Sequence, residues 1–315
     1  MEEKTASVKD WSTVSVPSGG LFKPVEDARS WSNFDLPAER VKEFWENGYI
    51  TNVPVLTPDQ CDNILTVYQE LVKAMEKSNE FPGYELLYEH HSNQSGDPDN
   101  VLMHCLGHWR FNQLFHDLVF LPEIAVPSSK LLHPAEDKSV RLWHDQLFAK
   151  PPRHGGVVAW HQDYSYWTRT KPMMHLTVHI ALDEQTLDNG ALHYVPGSHK
   201  WRKNGEPLPI TDLNFKDMES IQTVLTEEEK ALFKPVPSLL KKGEASFHHP
   251  LMVHGSYGNR SECPRRACVV NYIADGVVSD SEDPLLQKTN PVPKGEKLNG
   301  QFYPLIYDPS WKQAN

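Results

Sequence analysis

The chain has 315 residues, 39% of them hydrophobic and 23% charged, an ordinary globular composition that supports one large core with room for a smaller lobe. Its 31 basic and 42 acidic residues give a formal charge of −11, which excludes the basic footprint that nucleic acid or an anionic membrane surface requires. Apolar runs such as Ala267 to Ile273 fall far short of a membrane span, and the start MEEKTASVKDW has no apolar centre of a signal peptide, so the expected location is intracellular, in the cytoplasm. The four scattered cysteines, Cys61, Cys105, Cys263 and Cys268, form no CxxC pair and read as reduced thiols, not as a disulfide frame or zinc cage. The final Gln-Ala-Asn is no organelle retrieval signal.

Residues 1–35 are rich in Ser, Pro, Lys and Glu with isolated tryptophans, which reads as an N-terminal arm laid over the domain or as disorder. Thr57-Pro58-Asp59-Gln60 carries a helix start, with a hydroxyl cap, proline in the first turn and a glutamine to close a capping box. Ile64, Leu65, Tyr68, Leu71 and Val72 then give one apolar helical face through about Met75. His90-His91 and Asp97-Pro98-Asp99 read as a solvated turn or substrate-edge loop. His104 and His108 stand four apart on an expected helix, without the intervening Glu of an HExxH zinc motif, and are assigned no metal.

From about Ser139 the texture changes to short apolar runs: Val140 to Phe148, Gly156 to Asp163, Leu176 to Leu182, Ala191 to Val195, Gly243 to Phe247 and Arg266 to Ile273. With turns at Asp188-Asn189-Gly190 and Pro196-Gly197, that is the signature of a barrel or sandwich, mainly β with flanking helices. The stretch 200–242 interrupts the series with charge and a helical piece, Thr226 to Phe233, whose Glu227, Glu228 and Glu229 read as a solvated first turn. We take it as a lid-like insertion in a domain spanning 36–280, followed by a C-terminal extension over 281–315.

Within Ala159-Trp160-His161-Gln162-Asp163-Tyr164, His161 and Asp163 are two apart, so a strand points both to one face. His254, at another strand end, offers a third ligand. Two histidines and one carboxylate on one side of a metal leave open positions and suit an iron(II) oxygenase. Eleven residues past His254, Arg265 opens the next strand. Its guanidinium can grip the far carboxylate of a dicarboxylate cosubstrate bidentately, and Ser256 can add a hydroxyl donor. His248 and His249 are read as packing or solvated, because neighbours on a strand face opposite ways.

The strings WHQDYSYW, LDNGALHYVPGSHK and HGSYGNRSECPRRA, in that order, resemble the phytanoyl-CoA dioxygenase family of iron(II)/2-oxoglutarate oxygenases over about 146–273. The resemblance implies a double-stranded β-helix (jelly-roll, cupin-like) core, iron held by His161, Asp163 and His254, and the 2-oxoglutarate tail on Arg265 and Ser256. It places Gln146 beside the cosubstrate. His179 stands where the family brings a tryptophan, and reads either as a cosubstrate donor or as a satisfied core histidine. Tyr164, Tyr166 and Trp167 are candidates for an aromatic substrate mouth, weighed against plain core packing.

By the resemblance, Fe(II), 2-oxoglutarate and O₂ are used to hydroxylate a small molecule with release of succinate and CO₂, with ascorbate as activator. Desaturation, ring formation or epoxidation with the same cofactors, a non-catalytic ligand-binding jelly roll, and a zinc hydrolase remain as alternatives. The retained Asp163 argues against halogenation, for which relatives give up this carboxylate to chloride. The substrate is expected to be an acyl-CoA, a lipid or a secondary metabolite. Lys200, Arg202 and Lys203 are the nearest basic group to meet a CoA phosphate, though they read better as solvated lid charges.

Overall fold

A computed structural model of the chain describes residues 8–77, 81–202, 205–210, 213–214 and 216–313. The first half supplies helices and both edge strands of the large sheet: α1 (Ala38–Asn47), β1 (Tyr49–Pro54), α2 (Pro58–Lys77), β2 (Glu89–His91), β3 (Met103–Leu106), α3 (Gln113–Val119) and α4 (Pro122–Leu131). The strand series follows as β4 (Val140–Lys150), β5 (Val158–His161), β6 (Thr170–Lys171), β7 (His175–Ala181) and β8 (Leu192–Tyr194). After α5 (Glu227–Leu232) come β9 (Val236–Pro237), β10 (Glu244–His248), β11 (His254–Ser256), β12 (Arg265–Ala274), β13 (Val278–Ser279) and β14 (Leu305–Tyr307).

The strands form a large antiparallel sheet in the order β1-β10-β7-β12-β4-β3-β2, with β14 added to β4, and a smaller one in the order β5-β11-β8-β9. Together they make the mainly β, double-stranded β-helix architecture. The pleat sorts side chains with period two. On β12, Cys268, Val270 and Tyr272 join the main hydrophobic core, and on β7 Leu176, Val178 and Ile180 do the same. The intervening Thr177, His179, Arg265 and Val269 line a cavity shared with the smaller sheet. The central strands are therefore apolar on one face and polar on the other, and the polar face holds the chemistry.

Helix α2 begins as its sequence dictates. Thr57 N–H donates to Gln60 Oε1 (2.8 Å), and Gln60 N–H donates to Thr57 Oγ1 (3.2 Å), the reciprocal capping box. Its apolar stripe is sunk in the core, Ile64 and Leu71 fully, each such side chain contributing roughly 2 kcal/mol.

From Val8 onward the N-terminal arm lies against the domain. Asp117 Oδ1 and Oδ2 accept from the backbone of Ser18, Gly20 and Leu21, at 2.6, 2.6 and 3.0 Å, and Arg110 Nη2 meets Asp10 Oδ2 at 2.6 Å. Residues 1–7 and Lys203 lie outside the described residues. In the 200–242 stretch, Leu208, Ile210 and Ile221 pack on Trp160 of β5, and Leu208 N–H donates to Gln162 Oε1 (2.7 Å).

Several local expectations are corrected. His90 and His91 belong to β2, not to a turn. His104 is on β3 and His108 in a short 3₁₀ turn, where it faces Asp145 at 3.0 Å, so the two do not share a helical face. Glu229 is buried, not solvated: it closes the capping box of α5 and pairs with Arg202 at 3.2 Å.

Burial also sets an acid limit on stability. The pKa values of His104, His144 and His199 are pushed down to about 4, and those of His175 and His179 to about 3, chiefly by loss of hydration. In the unfolded chain these groups titrate near ~6.5. Below that pH the unfolded state therefore binds more protons than the native one. The stability these neutral histidines contribute is complete above about 6.5 and is lost as pH falls toward 4 and 3. If three act, unfolding free energy drops by about 4 kcal/mol per pH unit. Urea midpoints taken from pH 7.5 to 5 should fall steeply, and a flat profile would contradict the burial.

Candidate metal centre

The two histidines meet because β5 and β11 pair antiparallel with His161 opposite His254. Gly255 makes the pairing close: a Cβ there would stand 2.9 Å from Val158 O. Asp163 is not on the strand. β5 ends at His161, and Asp163 opens the 3₁₀ turn Asp163–Tyr166, so the turn, and not the pleat, swings its carboxylate back over the strand end.

Asp163 Oδ1 lies 3.5 Å from His161 Nε2 and 3.7 Å from His254 Nε2, and one ligand atom from each residue falls within 4.8 Å of the others. His161 Nδ1 faces Ala159 O and His254 Nδ1 faces Met252 O, both at 2.9 Å. Each imidazole donates its Nδ1–H to a carbonyl two residues back, which leaves both Nε2 lone pairs directed at one point. Burial, with His161 and His248 nearby, holds the His254 pKa well below its ordinary value, so it is neutral, the form that binds metal. Burial opposes the charge on Asp163, but the three imidazoles around it, His254, His161 and His248, hold its carboxyl well below the usual range. Two imidazoles and one carboxylate are a donor set that fits a divalent first-row metal.

The cavity in front of this triad is lined by Gln146, Phe148, Thr177, His179, Leu192 and Arg265, among others. In the cavity wall Arg265 donates to Gly190 O from Nε (3.1 Å) and Nη2 (2.7 Å), and Nη2 also reaches Ser256 Oγ (3.2 Å). Gly190 sits in the left-handed region at φ +81, where a Cβ would strike Tyr257 O. Lys150, fully buried, donates to the same Ser256 Oγ at 2.7 Å. Ser256 Oγ thus accepts from two cations and retains its own O–H as a donor. Burial pulls Arg265 down to about 10 and, with Arg265 beside it, Lys150 well below its ordinary value. Among the described residues no carboxylate forms an ion pair with either cation, whereas Arg266, on the outer face, is bound to Asp183 at 2.7 Å. A buried pair of bases without an acid is an anion site by its electrostatics.

Gln146 and His179 both reach the cavity wall. Gln146 is engaged by His104 (3.0 Å) and Asn271 (2.9 Å), and His179 Nε2 contacts Gln185. Tyr164 and Trp167 are not brought to the cavity: both are buried, Tyr164 donating to Thr170 O (2.9 Å) and Trp167 stacking on His175. Tyr166 is instead 53% exposed, with its ring centroid 6.2 Å from that of His161.

Residues that sequence reasoning passed over include Lys150, Thr177, Asn271 and His248. The dismissal of both His248 and His249 is corrected. Alternation turns one of the pair inward, and His248 Nε2 lies 3.0 Å from Asp163 Oδ2. The same period, counted two back from His179, would have pointed to Thr177.

The family model for phytanoyl-CoA dioxygenase (PhyH) matches residues 44–267, a span that includes the triad, Ser256 and Arg265. The chain belongs to the PhyH family. That family is one of iron/2-oxoglutarate oxygenases. This PhyH protein is 32% identical over 143 residues to the phytanoyl-CoA dioxygenase domain-containing protein 1 homolog of Caenorhabditis briggsae, covering 44% of the chain and 49% of that protein, so the match spans about half the relative's length. Human peroxisomal phytanoyl-CoA dioxygenase is 25% identical over 255 residues, 79% of this chain and 72% of its own. Among solved structures, the epimerase SnoN in complex with Fe3+, alpha ketoglutarate and nogalamycin RO superposes with a TM-score of 0.67 at 18% identity, over 85% of this chain and 98% of that one.

Proposed function

We propose that the protein uses Fe(II), 2-oxoglutarate and O₂ to hydroxylate an unactivated C–H bond of a small molecule, with release of succinate and CO₂. The observation that carries this is one cavity lined both by three converging metal donors and by Arg265 and Ser256, whose hydroxyl is shared with the buried Lys150 and has no acid beside it. When bound, iron and its cosubstrate supply O₂ activation and the two-electron oxidation; ascorbate sustains turnover by keeping the metal reduced.

The chain's own residues do the rest. His161 and His254 are locked in the metal-binding tautomer by Ala159 O and Met252 O. Arg265 and the outward O–H of Ser256 take the distal carboxylate of the cosubstrate, with Lys150 fixing the direction of that O–H. Gln146 and His179 flank the cosubstrate, while Phe148, Leu192 and Val269 keep water from it. Tyr166 stands at the mouth to meet the substrate, and Tyr164 and Trp167 back the turn that carries it. The 200–242 stretch, bound to Gln162 and Trp160 just beside the ligands, serves as the lid.

A lipid or secondary metabolite is favoured over an acyl-CoA, because Arg202 is paired with Glu229, which leaves of the described residues of that group only the exposed Lys200, itself hydrogen-bonded to Glu46 O (3.0 Å), to meet a phosphate. Four free cysteines, three of them buried, fit a reducing compartment such as the cytoplasm. The test is O₂-dependent succinate formation from 2-oxoglutarate with Fe²⁺ and ascorbate across a panel of lipids and secondary metabolites, with products identified by mass. A product heavier by one oxygen, formed in step with succinate, is the expected result. No succinate with any candidate under these conditions would favour a ligand-binding jelly roll.

A further inference from the structure

The metal-facing and far oxygens of Asp163 have different surroundings. Oδ1 faces the two histidine Nε2 atoms. Oδ2 receives Thr177 Oγ1–H at 2.6 Å and lies 3.0 Å from His248 Nε2. Each donor is the end of a hydrogen-bonded chain that runs toward the carboxylate. On one side His104 Nε2 meets Gln146 Oε1, Gln146 Nε2 donates to Asn271 Oδ1 (2.9 Å), and Asn271 Nδ2 donates to Thr177 Oγ1 (2.8 Å). Because Thr177 Oγ1 accepts from Asn271, its own proton is turned onto Asp163. On the other side Ser246 and Tyr194 hydroxyls are 2.8 Å apart, and Tyr194 Oη is 3.1 Å from His248 Nδ1. With Tyr194 donating to Nδ1, the ring carries its proton on Nε2, aimed at Oδ2.

A carboxylate offering both oxygens can chelate a metal and occupy a second coordination position. With two donors on one oxygen it has only the other to give. We propose that His248, together with Thr177, is a positioning residue that ties down Asp163 Oδ2 so that Oδ1 alone is presented to the metal, keeping a coordination position free for the cosubstrate. This rests on the metal-centre reading of the site and adds to it the residues that set how its carboxylate binds. All the side chains of the clamp are buried: His248 is 1% exposed, Thr177 3%, and Tyr194, Ser246 and Asn271 at the limit of burial. Water therefore does not replace a lost donor readily. Outer partners of metal ligands typically change metal affinity by about 10- to 100-fold.

The test uses the full-length apoprotein titrated anaerobically with Co²⁺ alone, read by its visible ligand-field absorption, in wild type, His248→Phe, His248→Gln and Thr177→Val. Phe keeps the ring volume without the donor, and Gln places an amide Nε2–H where the imidazole had one. Expected are a Co²⁺ affinity roughly tenfold or more weaker in His248→Phe and in Thr177→Val, with altered band shape, and recovery to within about threefold in His248→Gln. A purely packing role predicts the opposite order, since Phe fills the space better than Gln. His248→Phe binding Co²⁺ like wild type with the same bands, or Gln no better than Phe, overturns the clamp while leaving the metal site standing. Should His248→Phe fail to fold, Thr177→Ser, which keeps the hydroxyl, against Thr177→Val decides the matter by the same two readouts. Wild type that binds no Co²⁺ overturns the metal reading, and the clamp with it.

Discussion

Asp163→Ala is expected to abolish succinate formation, by roughly a thousandfold or more, and to do so without unfolding the protein. The carboxylate is the one charged donor among the three ligand residues, so its loss removes both a coordination bond and the neutralising charge. A contribution of about 4 kcal/mol or more from that bond and charge corresponds to roughly three powers of ten. In the apoprotein the same change has a smaller consequence. It empties a site where a buried charge is held by hydrogen bonds from Thr177 and His248, so the apo variant should melt within a few degrees of wild type. Activity that survives in Asp163→Ala, with iron still bound, would mean that the reaction does not run through this triad.

Arg265→Gln is expected to raise the 2-oxoglutarate KM by about a hundredfold while leaving metal affinity nearly unchanged. Removing one partner of a buried charged hydrogen-bonded pair costs about 2–5 kcal/mol, and a hundredfold is about 2.7 kcal/mol. Arg265 is 2% exposed, lines the same cavity as the triad and is not among its three converging ligand residues, so the effect should fall on the cosubstrate and not on the metal. Arg265→Lys should recover only part, because a point charge lacks the planar fork that bonds Gly190 O and the ligand together. Equal KM values in wild type and Arg265→Gln would remove the dicarboxylate from this end of the cavity.

Much of this was legible from the sequence wherever periodicity and short spacing carry the information. The strands from Val140 onward showed their apolar runs and turns, and the observed strands begin or end within a few residues of those runs. That His161, Asp163 and His254 converge, and that Arg265 stands in the same cavity, was readable because the motifs that hold them are local. What stayed hidden depends on pairings that span the chain. Lys150 reaches Ser256 across 106 residues, and His248 reaches Asp163 across 85. No spacing rule links such positions. His248 was lost for a further reason: alternation was used to discount both members of the His248-His249 pair when it demanded that one of them point inward. The helix expected around His104 and His108 failed because β3 is paired between β4 and β2 in the large sheet, and tertiary pairing overrides a four-residue spacing. Tyr164 and Trp167 were drawn into the core by the 3₁₀ turn that also places Asp163, which rotates the aromatic run so that Tyr166 is the one left exposed.

The central claim is that one cavity binds a divalent metal at His161, Asp163 and His254 and a dicarboxylate that bridges from that metal to Arg265. The most direct measurement is an anaerobic titration of 2-oxoglutarate into the Fe²⁺-loaded protein, following the visible charge-transfer absorption that appears when the 2-oxo acid chelates iron. The account predicts saturable growth of this band with one equivalent bound, its absence in His161→Ala, and a midpoint shifted about a hundredfold in Arg265→Gln. A wild-type protein that loads iron yet shows no band and no 2-oxoglutarate binding would contradict it.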